Sequence, residues 1–219
     1  MSAARPSGRD LRHHQVTWQA ASLLLAYPDE ELLEHLPLLR AAVARLPGEQ
    51  AAPLERFLGH AETTPLLELA ADYVTTFDHQ RRCCLYLTYY AHGDTRKRGM
   101  ALLAFKSAYR AAGLEPGDDE LPDHLAVVLE FAATADPHAG RQLLLDHRAG
   151  VELLRLALES TSSPYADVLK AVTATLPPLA GDESDAVARL AAQGPPVEEV
   201  GLQPFAPPEY MPQTEGARR

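Results

Sequence analysis

Nine histidines, two adjacent cysteines and a block of opposed charge between Arg81 and Ala135 are the residues of this 219-residue chain with chemistry to offer. Metal chemistry on helices needs its ligands at helical spacing, as His-Glu-x-x-His in zinc proteases or as paired Glu-x-x-His runs in di-iron bundles. Neither run occurs, and Glu120 and His124 stand four apart as an isolated pair. Cys83 and Cys84 lack the two-residue spacer that tunes a redox or zinc-binding thiol pair, and a disulfide between neighbours is strained. They read as reduced thiols serving as small buried hydrophobes. The segment HGDTRKRG, 92–99, has two glycines but neither the spacing nor the strand-turn-helix setting of a phosphate loop, and no G-x-S-x-G elbow is present. The sequence therefore predicts no catalytic residue, no cofactor and no metal site, and a protein that is not an enzyme.

The charge block is more specific. From Arg81 to Arg110 there are seven Lys or Arg (Arg81, Arg82, Arg96, Lys97, Arg98, Lys106, Arg110) against the single acid Asp94. From Ala111 to Ala135 there are six acids (Glu115, Asp118, Asp119, Glu120, Asp123, Glu130) and no Lys or Arg. The whole chain carries −10, which argues against nucleic acid as a partner, because tracking phosphates needs a broad basic excess. A charge run is ordinarily a solvated helix face. Two features set this one apart: Arg96, Lys97 and Arg98 would open a helix at the end where its dipole disfavours cations, and Tyr86, Tyr89 and Tyr90 lie just upstream, with amphipathic rings suited to a peptide groove.

The elements that must position these residues read as helices. The chain is 46% hydrophobic but only 6% aromatic, and Leu and Ala dominate, the usage of a helical core large enough to fold as one domain. Apolar stripes at helical spacing run over 16–27 and, behind Asp29 as N-cap, over 32–46, with Pro37 expected to kink the second helix. A short amphipathic piece surrounds Leu54, Phe57 and Leu58. Thr64-Pro65 has the form of an N-cap followed by proline, opening a helix through Phe77. The segment 85–90 has β-propensity but no strand to pair with, so it is expected to be helical and to end at Gly93. A helix over 95–112 stops at Gly113. Pro122 then opens another with Asp123 in its first turn, and Leu125, Val128, Leu129 and Ala132 form its stripe. Further apolar runs cover 143–145 and 151–158, where Glu152, Arg155 and Glu159 mark a solvated face. Ser163-Pro164 caps a helix to Leu176, and a weaker helical patch covers 183–193. The expected organisation is an all-α, single-domain multi-helix bundle over 13–193, a flexible N-terminus over 1–12 and a Pro-rich disordered tail over 194–219. No secretory signal and no spanning helix are read, and two free cysteines suit a cytoplasmic protein.

LYLTYYAHGDTRKRG (85–99) followed by ELPDHLAVVLEF (120–131), with LLAYPDEEL and FDHQRRCCLYL upstream, resembles the NarJ family, the delta-subunit or molybdenum cofactor assembly chaperones of respiratory nitrate reductase, within the TorD-like redox enzyme maturation proteins. The resemblance covers roughly residues 23–176. It implies an all-helical cytoplasmic chaperone that binds the apo catalytic subunit of nitrate reductase, partly through that subunit's N-terminal peptide, and supports molybdenum cofactor insertion before membrane docking. By position, its motif residues here are His92, Gly93, Asp94, Arg96, Arg98 and Gly99, then Glu120, Leu121, Pro122, Asp123, His124 and Glu130.

Joined to the residue reading, this gives a client-binding set of Tyr86, Tyr89, His92, Asp94, Arg96, Arg98, Glu120, Leu121, Pro122, Asp123, His124 and Glu130. A client helix would lay its apolar face in a groove, with Glu120, Asp123 and Glu130 meeting its basic residues and His124 making the contact sensitive to pH. The basic half of the block would pair internally with the acidic half and leave the surplus acids facing outward. The expected assembly state is a monomer or weak dimer, with no nucleic acid and no membrane insertion. The alternatives are a chaperone of another molybdoenzyme, or a small-molecule or nucleotide sensor holding phosphate with Arg96, Lys97 and Arg98.

Overall fold

Apolar residues recurring every three or four positions become helices that wrap one core. A computed structural model describes residues 6–115, 117 and 120–193, the side chains of 182, 183, 186 and 193 excepted. The acidic-turn residues 116, 118 and 119 and the segment 194–219 read as a disordered tail lie outside the described residues. The helices are α1 (Gly8–Leu25), α2 (Glu30–Val43), α3 (Gly48–Thr63), α4 (Leu66–Tyr73), α5 (Leu87–His92), α6 (Arg96–Ala111), α7 (Leu125–Thr134), α8 (Pro137–Asp146), α9 (Arg148–Ser160), α10 (Tyr165–Ala174) and α11 (Gly181–Gln193). A π turn, Val74–Asp78, continues α4, and a 3₁₀ turn, Arg81–Cys83, leads toward α5. Among the described residues there is no strand, and no helix is long and apolar enough to cross a membrane.

The centre of the core is α1, packed against α2, α7 and α10; α10 in turn packs on α3 and α9, and α7 on α8. Trp18, Ala21, Leu24 and Leu25 of α1 meet Leu125, Val128 and Leu129 of α7 and Val168, Leu169 and Val172 of α10, all fully buried or within 1% of it. Each large side chain so buried stabilises the fold by about 1.5–3 kcal/mol relative to exposure. Two polar side chains in this interior are matched: Trp18 Nε1 donates to Thr175 Oγ1 at 2.9 Å, and Ser22 Oγ donates to the Ala126 carbonyl at 2.8 Å. The α7–α8 crossing is tight enough to require a glycine, since a Cβ at Gly140 would stand 2.3 Å from Ala132 Cβ.

Several local expectations are corrected. The first helix starts at Gly8, inside the segment read as flexible, because Ser7 accepts the Asp10 N–H as its cap. Thr64 closes α3 instead of opening α4: its hydroxyl donates to the His60 carbonyl at 2.8 Å. Ser163 likewise finishes the α9 end through its N–H to the Leu158 carbonyl, and α10 begins without a side-chain cap. Helix α7 starts at Leu125, so Pro122 and Asp123 precede it. The segment 85–90 is helical only from Leu87; Tyr86 forms an isolated antiparallel bridge with His124, a backbone partner that periodicity cannot reveal. Glu152 is buried, not solvated. Arg155 bonds both Glu152 and Glu159, and Lys170 of α10 reaches Glu159 at 3.4 Å, so the expected polar face is an ion-pair seam between two helices.

Candidate functional site

Two short backbone segments meet where α5 and α7 begin. Leu87 N–H donates to the Asp123 carbonyl at 3.1 Å, and Leu125 N–H to the Leu85 carbonyl at 2.8 Å. The Asp123 carboxylate lies behind this clasp with no exposed surface. Its Oδ2 accepts the Thr88 N–H at 3.0 Å and the Thr88 hydroxyl at 2.5 Å, satisfying a backbone donor that the first turn of α5 would leave orphaned. Arg98, reaching in from α6, brings Nη2 to 3.8 Å from Asp123, donates from Nε to Thr88 Oγ1 at 3.2 Å and meets Asp94 at 3.5 Å. Its guanidinium covers the Tyr86 ring, 5.2 Å from the centroid, where the π face favours a cation. Gly93 makes the turn from α5 to α6 possible, at φ 57° and ψ −154°, a conformation in effect reserved for glycine.

Tyr86 ties this cluster to the surface. Its hydroxyl donates to Glu120 Oε1 at 2.9 Å, and the same oxygen accepts the Leu121 N–H at 3.0 Å. Burial, with the Glu120 charge alongside, pushes the Tyr86 phenol up to about 12, so it stays a donor. His124 stacks edge-on to Tyr86 at 5.3 Å, and burial holds its pKa below the 6.5 of an exposed imidazole.

On the opposite side of residues 120–122 lies a groove of about 430 Å³ between the end of α6 and the outer face of α7. Among the described residues, Tyr109, Leu114, Pro122, Val127 and Phe131 supply its apolar lining, Glu115, Glu120 and Glu130 contribute three carboxylates, and no lysine or arginine takes part. The floor is fixed by Tyr109, whose hydroxyl donates to the Pro122 carbonyl at 2.6 Å and whose ring packs 4.6 Å from that of Phe131. An apolar trough with acidic residues around it takes up an amphipathic basic helix by its apolar face.

Of the residues singled out from the sequence, Glu120, Pro122 and Glu130 line the groove, and Leu121 is exposed next to it. Tyr86, Asp94, Arg98, Asp123 and His124 form the supporting cluster, where Asp123 and His124 are buried and present no face to a partner. Tyr89 and His92 are half-buried on α5, and Arg96 is exposed at the start of α6; none of the three lines the groove. Of the expected pairing between the two charge halves, Arg98–Asp123 and a looser Arg110–Glu115 contact at 3.9 Å are present. Tyr109, Leu114, Val127 and Phe131 were missed. A second apolar stripe on α7, Val127 with Phe131 four residues on, was the available signal. Cys83 is buried and Cys84 half-buried, both free, and burial raises both thiols above their ordinary range. No cluster of three or more His, Cys, Asp or Glu able to hold a metal occurs among the described residues.

An all-helical array of this size is shared with an Archaeoglobus fulgidus protein assigned to redox enzyme maturation: its crystal structure superposes with a TM-score of 0.54 at 25% identity, covering 78% of this chain and 95% of that one. Residues 41–171 match the family model of the nitrate reductase delta subunit, and the chain belongs to that family. NarJ of Bacillus subtilis, assigned as a nitrate reductase molybdenum cofactor assembly chaperone, is 37% identical over 74% of this chain and 89% of its own length. The corresponding Escherichia coli K12 chaperone NarJ is 36% identical over 66% of this chain and 63% of its own. The nitrate reductase-like protein NarX of Mycobacterium tuberculosis H37Rv is 43% identical over 73% of this chain, which spans only about a quarter (24%) of NarX.

Proposed function

We propose that this protein is a cytoplasmic chaperone that binds the apo catalytic subunit of respiratory nitrate reductase, in part through that subunit's N-terminal peptide, and keeps it competent for molybdenum cofactor insertion before the enzyme docks at the membrane. The groove carries this reading: it is apolar along its floor and, among the described residues, three carboxylates and no lysine or arginine line it. The Asp123–Thr88–Arg98 cluster supports it from behind by fixing residues 120–122, which form one wall. The chain's part is to hold and release a polypeptide, so binding should be reversible and fast to dissociate. A phosphate-binding sensor built on Arg96, Lys97 and Arg98 is disfavoured, because Arg98 turns inward to Asp123 and Tyr86.

Calorimetric titration with a synthetic peptide from the catalytic subunit's N-terminus tests the groove. Glu130→Lys is expected to weaken binding at least tenfold while leaving the unfolding midpoint unchanged, and Glu34→Lys, exposed on α2 and outside both the groove and its supporting cluster, is expected to bind as wild type. Equal affinity of Glu130→Lys and wild type would remove the groove from the reading. Capture of the bound protein from cells grown on nitrate with little oxygen identifies the client, and recovery of a different molybdoenzyme would redirect the assignment.

A further inference from the structure

Helix α6 turns two faces to different surroundings. Arg98, Leu102, Phe105 and Tyr109 point inward, and of its sixteen residues only Phe105 and Tyr109 are buried. The outward face carries Arg96, Met100, Leu103, Ser107 and Arg110 at successive three- and four-residue steps, with Lys97 beside them. Met100 is 71% exposed and Leu103 51%. From Arg96 to Arg110 this face is about 21 Å long at 1.5 Å per residue. It is an apolar centre one turn long with basic residues at both ends. That is the chemistry the groove on the same molecule accepts, with Val127, Phe131 and Tyr109 on its floor and Glu120 and Glu130 among its carboxylates.

We infer that the occupant of the outward α6 face is a second copy of this chain, which receives Met100 and Leu103 in its groove while its own carboxylates meet Lys97. A copy cannot fill its own groove with Met100 and Leu103, because Tyr109 on the inward side of α6 already lies on the groove's floor and those two residues stand on the opposite face; Arg110, at the end of that face, contacts Glu115 of its own chain at 3.9 Å. The chain's overall −10 repels a second copy everywhere except where this basic face meets that acidic groove, which confines the contact to one patch and keeps it weak. The consequence is a chaperone whose free form shields its own groove and gives it up to a client carrying the same kind of basic, amphipathic helix. The inference rests on the groove's being the helix acceptor proposed above.

Sedimentation velocity on the full chain over about 1–300 μM, a range suited to weak transient contacts, tests it. Wild type is expected to associate reversibly as concentration rises. Met100→Glu with Leu103→Glu, which spoils the face, and Glu130→Lys, which spoils the groove, are each expected to lower the association constant at least tenfold. All three positions are exposed, and unchanged far-UV spectra and unfolding midpoints would establish folding; Lys97→Glu is a further face variant. Mixing the face variant with the groove variant should restore a heterodimer, because one brings an intact groove and the other an intact face. A wild type that stays monomeric throughout overturns the inference, as does a mixture that fails to combine or a variant that associates like wild type. Failure here leaves the client reading intact if the peptide still binds wild type. If the copies pair through face and groove and the peptide does not bind, the client reading fails and this inference stands.

Discussion

Asp123 turns its charge inward, and that changes which substitutions report on folding and which on binding. Its carboxylate serves Thr88 twice and meets Arg98, with no exposed surface. Asp123→Ala removes the acceptor of a buried backbone N–H and hydroxyl and the inner charge facing the half-buried Arg98, and breaking a buried charged contact costs about 3–5 kcal/mol. Urea denaturation should show a loss of that size, and any fall in client affinity should track the unfolded fraction; a loss below about 1 kcal/mol would mean that the cluster relaxes around the gap. Glu130→Lys, in the same motif, should do the reverse. From the sequence Asp123 and Glu130 were equivalent acids in an acidic run. What separates them is a partner 35 residues away, Thr88, and no local pattern encodes it.

At the scale of helices, the α7–α8 crossing is the sharpest constraint. Gly140→Ala would place its new Cβ 2.3 Å from Ala132 Cβ and 2.4 Å from Ala132 Cα, on backbone that cannot step aside cheaply. Overpacking of this kind destabilises by about 1–3 kcal/mol. The unfolding midpoint should fall accordingly, and adding Ala132→Gly should recover part of the loss, since only part of the clash is with the Ala132 methyl. Helices were the legible part of the sequence. Their stripes, the Asp29 cap and the stops at Gly93 and Gly113 are local properties, and they were recovered. Helix ends written with proline were less so: Thr64 and Ser163 look like N-caps but bond backward to the preceding helix, a choice made by tertiary packing. Burial of Glu152 was invisible for the same reason. The groove was half legible, its acids from charge counting, while Val127 and Phe131 of its apolar floor fall off the Leu125–Ala132 stripe that marks the core side of α7.

For the whole molecule, pH acts through three imidazoles drawn wholly or partly out of water: His124, which is buried, and His14 and His147, which are half-buried. Burial lowers the pKa of His14, His124 and His147 in the folded state. Above about 6.5 these groups are neutral in both states and contribute no pH dependence. As pH falls below that value the unfolded chain takes up protons first, so stability drops until the folded-state rings also protonate. The unfolding free energy should therefore decline as pH falls below about 6.5, before the range where carboxylates such as Asp167 titrate, and His147→Gln should flatten the decline. A stability that is level over that interval would mean that these rings charge freely in the fold.

The clasp between Leu85–Leu87 and Asp123–Leu125 has a topological consequence as well. It closes a ring of about 40 residues that contains α5 and α6, and the entropy lost in closing such a ring is of order 3 kcal/mol. Once closed, the ring holds both roots of the α6 excursion beside each other on the core. The outward face of α6 is therefore carried on a short double tether. A partner gripping that face pulls on two backbone hydrogen bonds, a buried carboxylate and the Tyr109–Phe131 contact with α7.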